Sequence, residues 1–256
     1  MKNQILRPIN SILITGASSG IGKALALEYA GNGVFMALTG RNAERLRRVE
    51  AECRAKGAEV QIAIIDATDI STMEAFIKSL PHLDLVIANA GISGGTAEGT
   101  NNDAVREVFS VNVGGVINTI LPTIEKFKIQ GGGQLALMSS MSAYRGLPSA
   151  PAYSASKACV KAYAQALRGS LYNDGIEVSA ICPGYVATPL TDKNKFPMPL
   201  LMGAGKAARI IKKGLDKNKA VIVFPLTIRA LLALLNILPH RWSDKIFRSL
   251  PKKDWA

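Results

Sequence analysis

The stretch YSASK, Tyr153 to Lys157, sets a phenol and an ammonium four residues apart. On a helix, that spacing brings both side chains to one face. A free tyrosine has a pKa near 10 and handles protons poorly at neutral pH; moving it toward 7 takes about 3 units, or about 4 kcal/mol of preference for the phenolate. A neighbouring ammonium supplies part of that preference by opposite charge. The chemistry open to such a pair is proton transfer to or from an oxygen. An isolated Tyr-x-x-x-Lys is also an ordinary solvated pair, so the reading depends on what the rest of the chain brings near it.

A second chemical feature lies near the N-terminus, in TGASSGIGKALALEYA, Thr15 to Ala30. Gly16, Gly20 and Gly22 follow the short aliphatic run Ser11 to Thr15 and open an apolar helical pattern. In that context a glycine-rich turn lets backbone amides approach a pyrophosphate at a helix N-terminus. Gly16 permits the tight turn, Gly20 the close approach and Gly22 the packing of helix on sheet, while Ser18 and Ser19 add hydroxyls. The third feature is a serine pair. Ser140 stands thirteen residues before Tyr153, at the end of the run QLALMSS, with Ser139 and Ser142 as weaker candidates beside it.

The elements that must position these groups are legible as an alternation. Seven short runs read as buried strands: Ser11 to Thr15, Val34 to Gly40, Val60 to Asp66, Leu83 to Ala90, Gln134 to Ser140, Glu177 to Pro183 and Ala220 to Pro225. Their apolar continuity, without in-out alternation, is what a sheet covered on both faces requires. Between them lie helical patterns such as Glu44 to Lys56 and Ala152 to Tyr172. The expected fold class is therefore α/β, a Rossmann-type doubly wound sheet of about seven parallel strands with helices on both faces. No linker, repeat or low-complexity tract interrupts it, so the expected organisation is one domain over residues 1–225 with a helical extension of the same domain over 226–256.

Composition narrows the function classes. Hydrophobic residues make up 48% of the 256, as in a well-packed globular protein. Cys53, Cys159 and Cys182 form no C-x-x-C spacing, which argues against a disulfide framework and for a reducing, cytoplasmic setting with three small buried packing groups. No secretory pattern is read at the N-terminus, and no stretch is read as reaching the roughly 20 apolar residues that span a bilayer. Net charge is +12, but from Ala204 onward twelve Lys/Arg stand against three Asp/Glu, so most of the excess belongs to the last fifth. No basic run is interleaved with aromatics, and no nucleic-acid partner is expected. No metal-ligand cluster is evident, and His82 and His240 are remote from the motifs.

Taken in order, TGASSGIG, NAG (Asn89 to Gly91), VNV (Val111 to Val113), SSMSAY (Ser139 to Tyr144), YSASK and PGYVATP (Pro183 to Pro189) resemble the short-chain dehydrogenase/reductase family, in its single-domain type, over nearly the whole chain. The resemblance implies an enzyme that moves hydride between a nicotinamide cofactor and a carbonyl or secondary alcohol. It implies catalytic roles for Asn112, Ser140, Tyr153 and Lys157: Tyr153 exchanges the proton, Ser140 bonds the substrate oxygen, Lys157 also bonds the nicotinamide ribose, and Asn112 disturbs its helix and holds a water in a proton relay. Cofactor contacts are implied for Gly16, Ser18, Ser19, Gly20, Ile21, Gly22, Asp66, Asn89, Ala90, Gly91, Pro183, Gly184, Val186 and Thr188. Taken alone, Asp66 is also good turn chemistry, and Asn112 an ordinary helix polar group.

The residue closing the second strand chooses the dinucleotide. An acidic side chain there would accept from the ribose 2′-hydroxyl of NAD, whereas Gly40 is followed by Arg41, a guanidinium suited to a 2′-phosphate. NADP(H) is expected ahead of NAD(H). The competing reading is that Arg41 only precedes a helix capped by Asn42. The segment Thr188 to Gly205, with Pro197, Met198, Pro199, Leu200 and Met202, reads as an apolar pocket lid and points to an apolar or lipid-like substrate. A non-catalytic NADP(H)-binding regulatory or interaction protein is the alternative function.

The extension carries its own pattern. Leu226 to Leu238 is apolar around most of a helix; beyond it Trp242, Ile246, Phe247 and Leu250 share one side, and Arg241, Lys245, Arg248 and Lys252 recur on another. Such segments cover a substrate pocket or a subunit interface, in keeping with an expected homodimer or homotetramer, or dock peripherally on an anionic membrane surface.

Overall fold

In the computed structural model, residues 8–93, 102–192, 197–237 and 241–242 are described. The elements are β1 (Ser11–Ile14), α1 (Gly20–Tyr29), β2 (Phe35–Gly40), α2 (Ala43–Arg54), β3 (Glu59–Ile64), α3 (Ile70–Ser79), β4 (Leu85–Ala88), α4 (Asn102–Phe109), a π turn (Ser110–Gly114) and α5 (Gly115–Gln130). They continue with β5 (Gly133–Met138), a 3-10 turn (Met141–Ala143), α6 (Pro151–Ser170), β6 (Ile176–Pro183), β7 (Val186–Ala187), β8 (Met202–Gly203), α7 (Ala204–Leu215), β9 (Val221–Phe224) and α8 (Leu226–Ile237).

Seven strands form one sheet in the order β3-β2-β1-β4-β5-β6-β9, with every pair parallel. The expected fold is what is found. Each of the seven apolar runs contributes its strand, with ends shifted where the chain turns into the loops that carry function: β4 loses two residues at each end, and β6 gains one at its start. The order reverses between β1 and β4, and crevices for ligands open at the carboxyl ends of strands beside such a switch.

Alternate residues of a strand serve opposite faces. In β1, Ile12 and Ile14 join a core with Leu25, Met36, Leu46 and Ile211, whereas Leu13 joins one with Met73, Val86, Phe127, Leu135 and Val160. Two helical layers are therefore held by one sheet, and this is why the strands read as continuous apolar runs. Asn42 caps α2 by accepting from the Arg45 amide at 2.8 Å, and Asp69 caps α3 by accepting from the Thr72 amide at 3.1 Å. At the other end of α5, Gly131 takes a left-handed conformation that closes the helix.

Two expectations need correction. Cys159 lies exposed on the outer side of α6, so only Cys53 and Cys182 are buried packing groups. The run Asn102–Gln130 is long and apolar enough, by length and composition, to cross a bilayer, contrary to the reading that no stretch qualifies. Half of its most apolar window is buried in the body, where α5 packs on α3 and the sheet, so core burial accounts for its composition. The segment after β6 also carries a pairing the sequence did not announce: β7 pairs with β8, and the Met202 amide donates to the Tyr185 carbonyl at 3.0 Å.

Candidate active site

The glycine turn leaves β1 and is locked to the end of β4. Gly16 has φ +66, and a Cβ there would stand 2.8 Å from Ala90 Cα, so only glycine fits both conformation and space. Asn89 ties the two strands: its Nδ2 donates to the carbonyls of Thr15 at 2.9 Å and Gly16 at 3.2 Å. The amides of Asn89 and Ala90 donate in turn to Thr15 Oγ1. A side chain at Gly22 would run into the Gly16 carbonyl and stand 2.5 Å from Asn89 Nδ2, so α1 can approach the turn closely only at a glycine. Ile21 packs partly buried on the core. Ser18 lies against Gly40, and Thr188 against Gly20. Ser19, unlike Asn42 and Asp69, makes no side-chain cap, so it claims no amide in the first turn of α1.

At the end of β2 both readings of Arg41 prove compatible. Asn42 is the cap of α2, which leaves the Arg41 guanidinium free to reach Asp66 at 3.7 Å. Asp66 is in addition a turn residue: its Oδ1 accepts from the amide and the hydroxyl of Thr68, both at 2.9 Å. These bonds, the amide first and Arg41 as a smaller cause, hold its carboxyl below the usual carboxylate range. It follows β3 by two residues rather than ending it.

The expected catalytic residues converge. Ser140 follows β5 and begins the 3-10 turn, its Oγ accepting from the Ser142 amide at 3.2 Å. It lies close enough to the Tyr153 phenol, presented from the first turn of α6, to pull that phenol's pKa down. Ser139 is spent elsewhere, donating to the Lys157 carbonyl at 2.7 Å. Ser142 is buried without a hydrogen-bond partner for its hydroxyl. The serine left facing the tyrosine is therefore Ser140.

Lys157 is buried, its Nζ 5.8 Å from the centroid of the Tyr153 ring and donating to the Met138 carbonyl at 2.9 Å. Asn112 sits inside the π turn, fully buried. Its Oδ1 accepts from the Ile92 amide at 2.8 Å, and its Nδ2 donates to the Ile92 carbonyl at 2.9 Å and to Ser156 Oγ at 3.0 Å. A Cβ on Gly91 would lie 3.0 Å from Asn112 Oδ1 and 3.2 Å from Lys157 Nζ, so that glycine makes room for both groups.

Electrostatics depart from one expectation. Lysine does not depress the tyrosine in the chain alone. Burial raises the Tyr153 phenol, outweighing the opposing pull of Ser140. Burial also lowers Lys157 to about 8. Both shifts have one cause, the loss of water around a charge. At neutral pH the tyrosine is thus a neutral hydroxyl beside an ammonium that a modest rise in pH discharges.

The remaining expected cofactor residues border the same crevice. Pro183 ends β6, and a Cβ on Gly184 would lie 3.0 Å from Pro225 Cδ and 3.3 Å from Met141 Sδ. Val186 is buried in the β7–β8 pair, and Thr188 is held by its amide bond to Thr191 Oγ1 at 3.0 Å. Two participants escaped the sequence reading: Thr15 and Ser156. Thr15 and Ser156 act through buried hydroxyls whose partners lie 74 and 44 positions away, which no local pattern announces. Among the described residues no group of acidic, His or Cys side chains is arranged for a metal.

A family model for short chain dehydrogenase matches residues 10–197. The chain belongs to that family. It is an oxidoreductase of the type acting on alcohol and ketone groups. It is 35% identical over 243 residues to an uncharacterized oxidoreductase of Myxococcus xanthus, covering 93% of this chain and 96% of the relative. A short-chain dehydrogenase from Sphingobium yanoikuyae, solved in complex with NADPH, superposes with a TM-score of 0.80 over 97% of this chain and 99% of its own; at 24% identity it shows the fold. A 3-ketoacyl-ACP reductase from Sinorhizobium meliloti is 28% identical with a TM-score of 0.72, over 84% of this chain and 96% of its own.

Proposed function

We propose that this short-chain dehydrogenase interconverts a carbonyl and a secondary alcohol with NADP(H), on an apolar or lipid-like substrate. The observation that carries the reading is the convergence of Ser140, Tyr153, Lys157 and Asn112 beside the glycine turn. The crevice suits a dinucleotide: Gly16 and Gly91 keep it clear of side chains, and Ser19 does not occupy the first turn of α1. When bound, a nicotinamide dinucleotide supplies or takes the hydride.

Residues of this chain do the rest. The Ser140 hydroxyl holds the substrate oxygen next to the phenol. Tyr153 gives its proton to that oxygen in reduction, and the raised pKa of the phenol favours the protonated form that this step needs. Lys157 keeps a positive charge near the phenolate left behind. Asn112, anchored on Ile92, holds the π turn open beside Lys157, where a proton can be returned from solvent.

Two features support the finer reading. Arg41 at the end of β2, with no carboxylate in its place, favours a 2′-phosphate, and Leu190, Leu200 and Leu201 expose apolar surface on the segment beyond β7. The likeness to the Sinorhizobium meliloti reductase favours a carbonyl as the group acted on. The test is NADPH oxidation across a panel of aliphatic and aromatic ketones. Tyr153→Phe is expected to lower kcat by about 10²- to 10⁴-fold while leaving NADPH binding, followed by fluorescence, intact. Turnover by Tyr153→Phe at the wild-type rate would defeat the proposal.

A further inference from the structure

Helix α8 has no buried residue among those whose side chains are described. Its body-facing stripe, Ile228, Leu232 and Leu235, is only half-buried, and its packing partner in the sheet is β9. On the far side of the axis Leu226, Leu231, Leu234 and Ile237 are each more than half exposed, as is Trp242 beyond the helix. At 100° per residue those four helix residues fall within one arc, shared with Ala230 and Thr227. An apolar arc of that size on a surface helix marks a place where something else is covered.

Charge chooses the occupant. From Leu226 onward the sequence holds Arg229, Arg241, Lys245, Arg248, Lys252 and Lys253 against Asp244 and Asp254. A second copy would bring one net-positive stretch of sequence against another. Closing on its own body would use the Ile228 stripe and leave the outer arc in water. With 12 residues, about 18 Å long, α8 cannot span a bilayer of about 30 Å. An exposed apolar arc on a helix that also exposes Arg229, in a stretch of sequence with net positive charge, fits the surface of a membrane carrying anionic headgroups.

We propose that α8 docks this protein on anionic phospholipid membranes, lying in the plane of the headgroups with Leu226, Leu231, Leu234 and Ile237 inserted. The root of the helix adjoins the candidate active site, because Pro225 touches Gly184, which in turn neighbours Met141. Docking therefore sets the mouth of that site beside the lipid. This last consequence rests on the proposed activity; the docking does not.

The test is sedimentation of the full chain with phosphatidylcholine vesicles, with and without phosphatidylglycerol. The expected result is sedimentation with the anionic vesicles, about tenfold weaker binding to the neutral ones, and release at about 1 M salt, where the screening length is about 3 Å. Leu234→Glu, which alters an exposed position and should keep the melting midpoint, is expected to weaken binding at least about tenfold, whereas Leu234→Phe retains it. Tyr153→Phe should bind vesicles like the parent, so failure of the activity and failure of docking remain separate results. Failure to sediment with anionic vesicles, equal binding by Leu234→Glu, or a lipid-free dimer that Leu234→Glu dissociates would each overturn the proposal.

Discussion

Tyr153 and Lys157 experience the same desolvation with opposite consequences. Burial raises the phenol and lowers the ammonium to about 8. Reduction requires both groups protonated, the tyrosine to donate and the lysine to carry charge. With the phenol's pKa above its ordinary value, the lysine is the first to lose its proton as pH rises. The kcat/KM for ketone reduction, which reports the free enzyme, is therefore expected to stay level near neutrality and to fall as pH climbs through about 8. Lys157→Arg, charged throughout, should lose that alkaline limb; a parent profile flat to about pH 10 would contradict the assignment. Arg41 belongs to the same scale. Its pair with Asp66 is more than a third exposed on both sides and contributes at most about 1 kcal/mol to stability. Arg41→Ala should leave the melting midpoint unchanged, while the KM for NADPH rises about tenfold or more and that for NADH does not. An equal change in both KM values would show that Arg41 does not read the phosphate. The Tyr-Lys pair and the absence of an acid after Gly40 were legible as letters in a row. The direction of the tyrosine's pKa was not, because it depends on burial set by the whole site.

Among the elements, the π turn between α4 and α5 decides most. Inserting a residue into the helical ladder releases backbone groups there and swings a side chain out of the helical repeat. Asn112 takes that position, and its amide exchanges two hydrogen bonds with Ile92 beyond the end of β4. Asn112→Ala leaves the Ile92 amide and carbonyl without those partners and is expected to cost about 2–4 kcal/mol in chemical denaturation, with a lower kcat. Loss of kcat with unchanged stability would show that the asparagine does not anchor this loop. A polar residue at position 112 was visible in VNV only through resemblance; its partner at 92 was not visible at all, since the two meet by packing of separate elements. Helix boundaries were close: Glu44 to Lys56 became Ala43–Arg54, because Asn42 caps one end and the turn at Gly57 stops the other. The short β7–β8 pair was missed, two residues per strand being too few to leave a periodic signal.

For the molecule as a whole, one sheet binds two cores, so damage to a core reaches the site through the strand ends. Phe127 is buried against Gly133, where an added Cβ would stand 2.6 Å from its ring. Phe127→Ala is expected to cost about 3–5 kcal/mol, with helical signal and NADPH binding lost together in one denaturation profile. Separate midpoints would show that the dinucleotide crevice and this core unfold independently. Charge is distributed unevenly on the same scale, concentrated after Ala204, where α8 leaves its apolar arc in solvent. By itself the sequence determined the alternation of strands and helices, hence a doubly wound sheet with its crevice at the strand ends, because periodicity and glycine placement are local properties of the chain. Tertiary structure alone decided what occupies Ser139, what Asn112 holds, that Cys159 faces outward, and which way burial moves each proton. Those depend on neighbours brought from distant positions and on the water they exclude, and neither is written in any single stretch of residues.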